Sequence, residues 1–487
     1  MPAIAAIATA ILCAAGCTVG PNYHRATAPA AAQWDVAEPW RESAPKDALG
    51  KGEWWGVFKE DDLNALETEA LQSNQTIKIS VAHLQQARSL AAVQISTLFP
   101  QVGTSPSAER QRLSGNRPPN SNFTTISPVS QDNFTLPFTV SYEVDLFGKR
   151  RRSIEAAQAS YQATAADLEN VRLVVASEVA GDYFSLRQLD TQINLLTGTV
   201  DAISKGLDLV NSRYKGGVAS GLDVAQEETL LHASQTQLTL LRQQRKQFED
   251  AIAVLLGKAA PDFHLAPRKL NGEPPALNAG LPSDLLERRP DIAEAERQMA
   301  AANAQIGIAK AAYYPSLNLF ANGGWQAADI AKLASIQSTF WAFGANVAES
   351  IFTGGARRAQ VQYAQAGYDA TVAGYRQTVL QAFQEVQDSL TGLTILDQAF
   401  ESQQLAVEAS RRSLDISTNR YKGGLVSYLD VVNAQQNVLS NEQELAILQG
   451  QKLVTSVLLV KALGGGWDAS SLAAIQVKPS RKDILAP

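Results

Sequence analysis

From Phe134 to Leu146 apolar and polar residues alternate without a break. Phe134, Leu136, Phe138, Val140, Tyr142, Val144 and Leu146 fall on one side, and Thr135, Pro137, Thr139, Ser141, Glu143 and Asp145 on the other. A period of two builds a strand with one apolar and one polar face. The pattern recurs through Trp341, Phe343, Ala345 and Val347, and more loosely over Leu317–Asn322. A weaker partner lies near 101–113, where Glu109, Arg110 and Arg112 crowd together. Four strands are therefore predicted, at about 101–113, 133–147, 315–325 and 339–352, with polar loops at 114–133 and 326–338. A half-buried sheet in a sandwich gives the same alternation. The polar positions, mostly Thr, Ser, Asn and Glu, suit a watery lumen behind a lipid-facing surface.

Each strand pair runs into a very different pattern. No proline occurs from 138 to 260 or from 316 to 478. An interior proline costs a helix about 3 kcal/mol, so such stretches favour long helices. Residues 149–213 and 356–419 are rich in Ala, Gln, Leu, Val and Glu, and a helix of that length reaches roughly 95 Å. A coiled coil or a duct needs such helices; a compact core does not. Shorter helices are predicted at about 75–98 and 290–313, the latter opened by Pro290 and Asp291, which suit a first helical turn.

The two halves are copies. Arg213-Tyr214-Lys215-Gly216-Gly217 recurs as Arg420-Tyr421-Lys422-Gly423-Gly424, an offset of 207 residues, and Ala157–Tyr161 aligns with Ala364–Tyr368 at the same offset. Phe99-Pro100 matches Tyr314-Pro315 at an offset of 215. Each half reads short helix, two strands, long helix, tight turn, medium helix. The predicted organisation is a leader at 1–16, an N-terminal segment at 17–60, a first repeat at 61–257, a linker at 258–289, a second repeat at 290–463 and a tail at 464–487. Within the repeats the turns lie at 214–223 and 421–430, and the returning helices at 223–257 and 430–463.

Strand number then constrains assembly. Four strands cannot close a barrel, and an open edge in lipid leaves unpaired backbone groups costing several kcal/mol each. Three chains supply twelve strands around a lumen, whereas two supply eight, whose interior side chains fill. The fold class expected is α+β, mostly α: a trimeric 12-stranded barrel continued by a long α-helical barrel.

The N-terminus bears on where such a barrel sits. Residues 1–16 are small and apolar and run into Cys17, and Ala14-Ala15-Gly16-Cys17 has the form of a bacterial lipobox. No Lys or Arg precedes it, and Ala14 stands where Leu is usual. Cys17 is the predicted acylation site, and Thr18 in place of Asp points to the outer membrane. Cys13 leaves with the leader, so no disulfide is expected. The net charge of -6 argues against nucleic acid as a partner. The four histidines, His24, His83, His232 and His264, lack metal-ligand spacing. No catalytic residue, metal or cofactor beyond the covalent lipid is expected.

Four stretches together resemble the outer-membrane factor family of tripartite efflux pumps, the TolC, OprM and NodT type, in its lipoprotein branch. They are Cys17–Tyr23; Trp54-Trp55 with Phe58 and Leu63; Leu281–Ile292; and the doubled Arg-Tyr-Lys-Gly-Gly turn. The resemblance implies a homotrimer with a helical barrel through the periplasm. It also implies an equatorial belt, here 21–60, 258–289 and 464–487. The implied function is a passive duct that expels small molecules such as drugs, joined to a periplasmic adaptor and an inner-membrane transporter. A protein-secretion duct of the same fold and a coiled-coil periplasmic spacer without a pore are the alternatives.

The resemblance also makes the doubled turns the periplasmic tips. It implies that Asp223 and Tyr421 tie neighbouring hairpins in a closed state and that Asp430 belongs to an acidic constriction. Val426 stands where a better-known relative has Arg, and Asn433 replaces a second acid of the ring, so a differently built gate is expected. Gly216, Gly217, Ser220, Gly423, Gly424 and Ser427 are the expected adaptor-docking positions. The residues alone also give Asp223 and Asp430 a plainer role as helix caps.

Overall fold

The computed structural model describes residues 18–28, 53–114, 129–275 and 285–478. The leader and Cys17 lie outside the described residues. The helices of more than one turn are α1 (Asp61–Ser73), α2 (Gln75–Ser96), α3 (Lys149–Lys215), α4 (Gly221–Leu255), α5 (Pro290–Ala311), α6 (Ala356–Lys422) and α7 (Tyr428–Ala462). The strands are β1 (Gln101–Thr104), β2 (Ser107–Leu113), β3 (Val129–Val144), β4 (Ser316–Ala327) and β5 (Thr339–Ala348).

The duplication is carried through to the backbone. α3 and α6 each have 67 residues, about 100 Å of helix. α4 and α7 each have 35, and α2 and α5 each have 22. Both long helices start from a glycine in the left-handed region, Gly148 at φ 81° and Gly355 at φ 88°, where the chain turns out of the sheet. α5 packs between α3 and α6, while α4 folds back on α3 and α7 on α6.

All strand pairings are antiparallel, in the order β1–β3–β4–β5 with β2 also on β3. β1 and β2 hold one continuous register against β3, with Thr104 opposite Phe138 and Ser107 opposite Thr135. They are one strand interrupted at Ser105-Pro106, so the sheet has four passes of chain. The interruption falls opposite Pro137 of β3, which has no N–H to donate. On its other side Pro137 faces Gly324 of β4. Thr104 Oγ1 bridges the gap by donating to the Pro137 carbonyl at 2.8 Å.

Register fixes the two faces. Leu136, Phe138, Val140, Tyr142 and Val144 align with Trp325, Gly323, Ala321, Leu319 and Leu317, and these with Thr339, Trp341, Phe343, Ala345 and Val347. The opposite face carries Thr135, Thr139, Ser141, Glu143, Asn318, Asn322 and Asn346, with Phe320 and Phe340 among them. Among the described residues the sheet packs chiefly strand on strand, and no α-helix makes an extensive contact with it. Trp341 is 76% and Phe343 75% exposed, although their rings stack on each other.

The main core lies midway along the helices. Trp54, Leu63, Tyr183, Phe184, Ile252, Val386 and Leu453 join the 3-10 turn Trp54–Phe58, α1 and both hairpins. Beside it, residues 260–270 are strapped to α3 and α4 by buried charges. Asp190 accepts from Arg187 Nη1 at 3.0 Å, Arg245 Nε at 2.6 Å and the Arg268 amide at 3.0 Å. The Leu265 amide donates to Glu249 at 2.7 Å and the Leu270 amide to Thr191 at 2.9 Å.

Candidate functional site

The far ends of the long helices are built by identical turns. After α3, the Gly216 amide donates to the Ser212 carbonyl at 3.1 Å and the Val218 amide to the Arg213 carbonyl at 2.9 Å. After α6, the Gly423 and Leu425 amides bond to Asn419 and Arg420 at 3.1 and 2.9 Å. The left-handed residue is Gly217 at φ 73° and Gly424 at φ 70°, the usual glycine stop of a helix. Gly216 and Gly423, at φ -81°, have a conformation open to any residue. Of each glycine pair, the backbone requires glycine at the second member.

Ser220 and Ser427 are the N-caps of α4 and α7. The Ser220 amide donates to Asp223 Oδ2 at 2.9 Å, and the Asp223 amide to Ser220 Oγ at 3.2 Å. Asp430 Oδ2 accepts from the Ser427 amide at 3.1 Å and its hydroxyl at 2.9 Å. Both carboxylates are thus engaged on their own turns, the capping role open to them from sequence.

Within one chain Tyr421 touches residues of both hairpins. The Arg213 guanidinium at the end of α3 lies 4.8 Å from the Tyr421 ring centre. On the other side, Tyr421 packs against Tyr428 with ring centres 4.9 Å apart. Tyr428 is buried with Ile203, Val210, Leu230, Leu231, Val431 and Val432 in a cluster shared by both hairpins. Glu227 of α4 is fully buried beside it. Burial raises the Glu227 carboxyl above its usual range, and the Tyr428 hydroxyl partly offsets this. A signal for both residues existed in the repeat: at the 207-residue offset Glu227 aligns with Ala434, and Tyr428 with Gly221.

At the opposite end, the segment 18–28 descends from the sheet along the helices. The Val19 amide donates to the Phe147 carbonyl at 3.1 Å, and a Cβ on Gly148 would collide with Thr18. Further along, Arg152 Nη2 donates to Asn22 at 2.9 Å and Tyr23 to Glu296 at 2.5 Å. At the junction Arg150 pairs with Glu143, and Arg151 with Asp145 at 3.2 Å. Among the described residues no group of three or more His, Cys, Asp or Glu is placed to hold a metal.

Known proteins share this arrangement. The chain is 32% identical over 461 residues to the toluene efflux pump outer membrane protein TtgF of Pseudomonas putida, covering 93% of this chain and 95% of the relative. It is 32% identical over 463 residues to the pyoverdine export outer membrane protein OpmQ of Pseudomonas aeruginosa, covering 94% and 95%. Among solved structures, the outer-membrane channel OprN superposes with a TM-score of 0.84 at 29% identity, covering 93% of this chain and 100% of OprN. The open state of the MtrE outer membrane channel of Neisseria gonorrhoeae gives 0.81 at 26%, covering 93% and 99%. Residues 66–258 and 281–465, the two repeats, each match the outer membrane efflux protein family, and the chain belongs to that family.

Proposed function

We propose that this chain is the outer-membrane duct of a tripartite efflux system of the resistance-nodulation-division type, closed as a homotrimer. The observation that carries the reading is the uncovered two-faced sheet, apolar through Trp341 and Phe343 and polar through Thr139, Ser141 and Asn322, continuing into helices of 67 residues. An apolar sheet face left bare in water is unfavourable, and its edges at β1–β2 and β5 would expose unpaired backbone groups. Three copies joined edge to edge remove both problems and leave a polar-lined lumen. The apolar stretch Phe134–Val144, tilted as barrel strands are, suits an apolar band about 25 Å tall.

Transport through such a duct is passive. The polar lumen face offers hydroxyl and amide groups that hydrogen-bond solute and water alike, without chemistry. The periplasmic end closes or opens with the packing of α6–α7 on α3–α4, in which Tyr421 is held by Arg213 and Tyr428, while Asp223 and Asp430 order the returning helices and turn carboxylates towards the axis. Gly216 and Gly423, which the turn itself does not require, keep the tips small for an adaptor's hairpins beside Gly217, Ser220, Gly424 and Ser427. An acyl chain on Cys17 would enter the periplasmic leaflet, because Thr18 stands at the strand–helix junction. Residues 260–270, strapped to α3 and α4, serve an equatorial belt.

Small molecules are the proposed cargo, in keeping with the toluene and pyoverdine named for two relatives. The test is a deletion strain exposed to a broad panel of small toxic compounds. Increased susceptibility, restored by the intact gene and not by a Gly217→Trp/Gly424→Trp variant that still trimerises, is the expected result. Unchanged susceptibility, or full rescue by the double variant, counts against it.

A further inference from the structure

Glu227 sits where two hairpins meet, and its surroundings are unlike those of the other acids at the tips. It is 0% exposed, and the polar side chain set against its carboxyl is the Tyr428 hydroxyl. Room for it comes from Gly206 of α3: a Cβ there would stand 2.6 Å from Glu227 Oε1 and 3.5 Å from the Tyr428 hydroxyl. The carboxyl thus occupies a notch in one hairpin, faced by a tyrosine from the other. Around it lie Ile203, Leu230, Leu231, Val431 and Val432, a setting that disfavours a charge.

The repeat supplies an internal control. At the corresponding place in the second hairpin stands Ala434, buried at 5%, and Gly206 corresponds to Ser413. A hairpin of this design therefore folds with a methyl group where Glu227 stands, so the acid is not a requirement of helix packing. Among the described residues no positive group is paired with it. The titratable group facing it from α7 is Tyr428; from α6, Tyr421 lies behind Tyr428, with Arg213 of α3 over the Tyr421 ring. Asp223, one turn earlier on α4, is engaged by Ser220.

We propose that Glu227 is a proton-binding latch, which when neutral seats in the Gly206 notch and holds α7 against α3 and α4, and when ionised demands hydration that the apolar notch does not provide, so that the hairpins part and the tip is freed. The sign follows from linkage. Burial raises the carboxyl's proton affinity in the packed state above that in a loosened, hydrated one. The packed state is therefore fully favoured below the ordinary glutamate value, and that preference is lost as pH rises towards the raised value. Between the two, the balance moves towards the loosened tip by about tenfold per pH unit for each linked proton.

The latch rests on reading the tips as the closing end of a duct. Single-channel recordings in planar bilayers from about pH 4 to about pH 9, starting just below the glutamate reference value, separate the two ideas. The wild-type trimer should open more as pH rises, while Glu227→Gln should stay at the wild type's acid-pH level throughout. Glu227→Ala, which copies Ala434, should also lose the pH response. A wild-type channel that conducts without pH dependence overturns the latch and leaves the duct standing. So does a transition retained by Glu227→Gln and abolished by Asp430→Asn. A trimer that never conducts removes the duct and the latch together.

Discussion

Replacing Asp190 by Ala should release the strap at 260–270 while leaving the hairpin tips untouched. In the native protein Asp190 accepts three hydrogen bonds, from Arg187, Arg245 and the Arg268 amide. Its side chain is 2% exposed, as against 3% for Arg187 and 14% for Arg245. Stripping the counterion from buried cations costs about 3–5 kcal/mol. Here the lower end applies, because Arg187 keeps Asp62 at 3.0 Å and Arg245 keeps Glu249 at 3.4 Å. A local loss of about 3 kcal/mol raises the open population of the strap roughly a hundredfold. Hydrogen exchange of the trimer, followed by mass spectrometry, reads this directly. The amides of Leu265, Arg268 and Leu270 all bond to side chains of α3 or α4, and a peptide covering 260–275 should exchange about a hundred times faster. Peptides covering 214–223 should not change. Equal protection of the strap in mutant and wild type would refute the reasoning, and equal acceleration everywhere would mean global loosening instead.

Two further outcomes follow from the same physical chemistry. Gly217→Val should cost more than 1 kcal/mol, since Gly217 is at φ 73°, whereas Gly216→Ala should be nearly neutral or slightly stabilising; thermal melting of the paired variants compares them. Glu67 of α1 is fully buried and its oxygens lack partners, so burial pushes its carboxyl up to about 9. A raised carboxyl value means stability is lost as pH rises from the ordinary glutamate value towards about 9. At neutral pH the penalty is about 3 kcal/mol, so Glu67→Gln should melt higher there and lose its dependence on pH. A wild-type melt that is flat between acid and alkaline pH would rule this out.

Much of the fold was legible in the sequence because its strongest determinants are local. Absence of proline allows α3 and α6, strict alternation makes β3, and a glycine followed by Ser and Asp ends one helix and starts the next. What sequence reading missed depends on partners brought close by folding. The interruption of the first strand needed Ser105-Pro106 to be placed against Leu136-Pro137, a fact of register. Tyr421 was singled out, but its partners Arg213 and Tyr428 belong to segments that meet only when the hairpins dock. Asp223 and Asp430 are held by serines three residues away, so their local role was readable even where the wider one was not. Glu227 and Tyr428 break the duplication, and positions where a repeat departs from itself are where tertiary demands override the local pattern.

The central claim is that three copies enclose a continuous polar lumen. Planar-bilayer recording of the purified trimer tests it most directly. The account predicts long-lived unitary conductance steps, one for each inserted trimer. Trimers that insert into the bilayer and yet carry no current at any pH would contradict it, leaving a helical spacer in place of a duct.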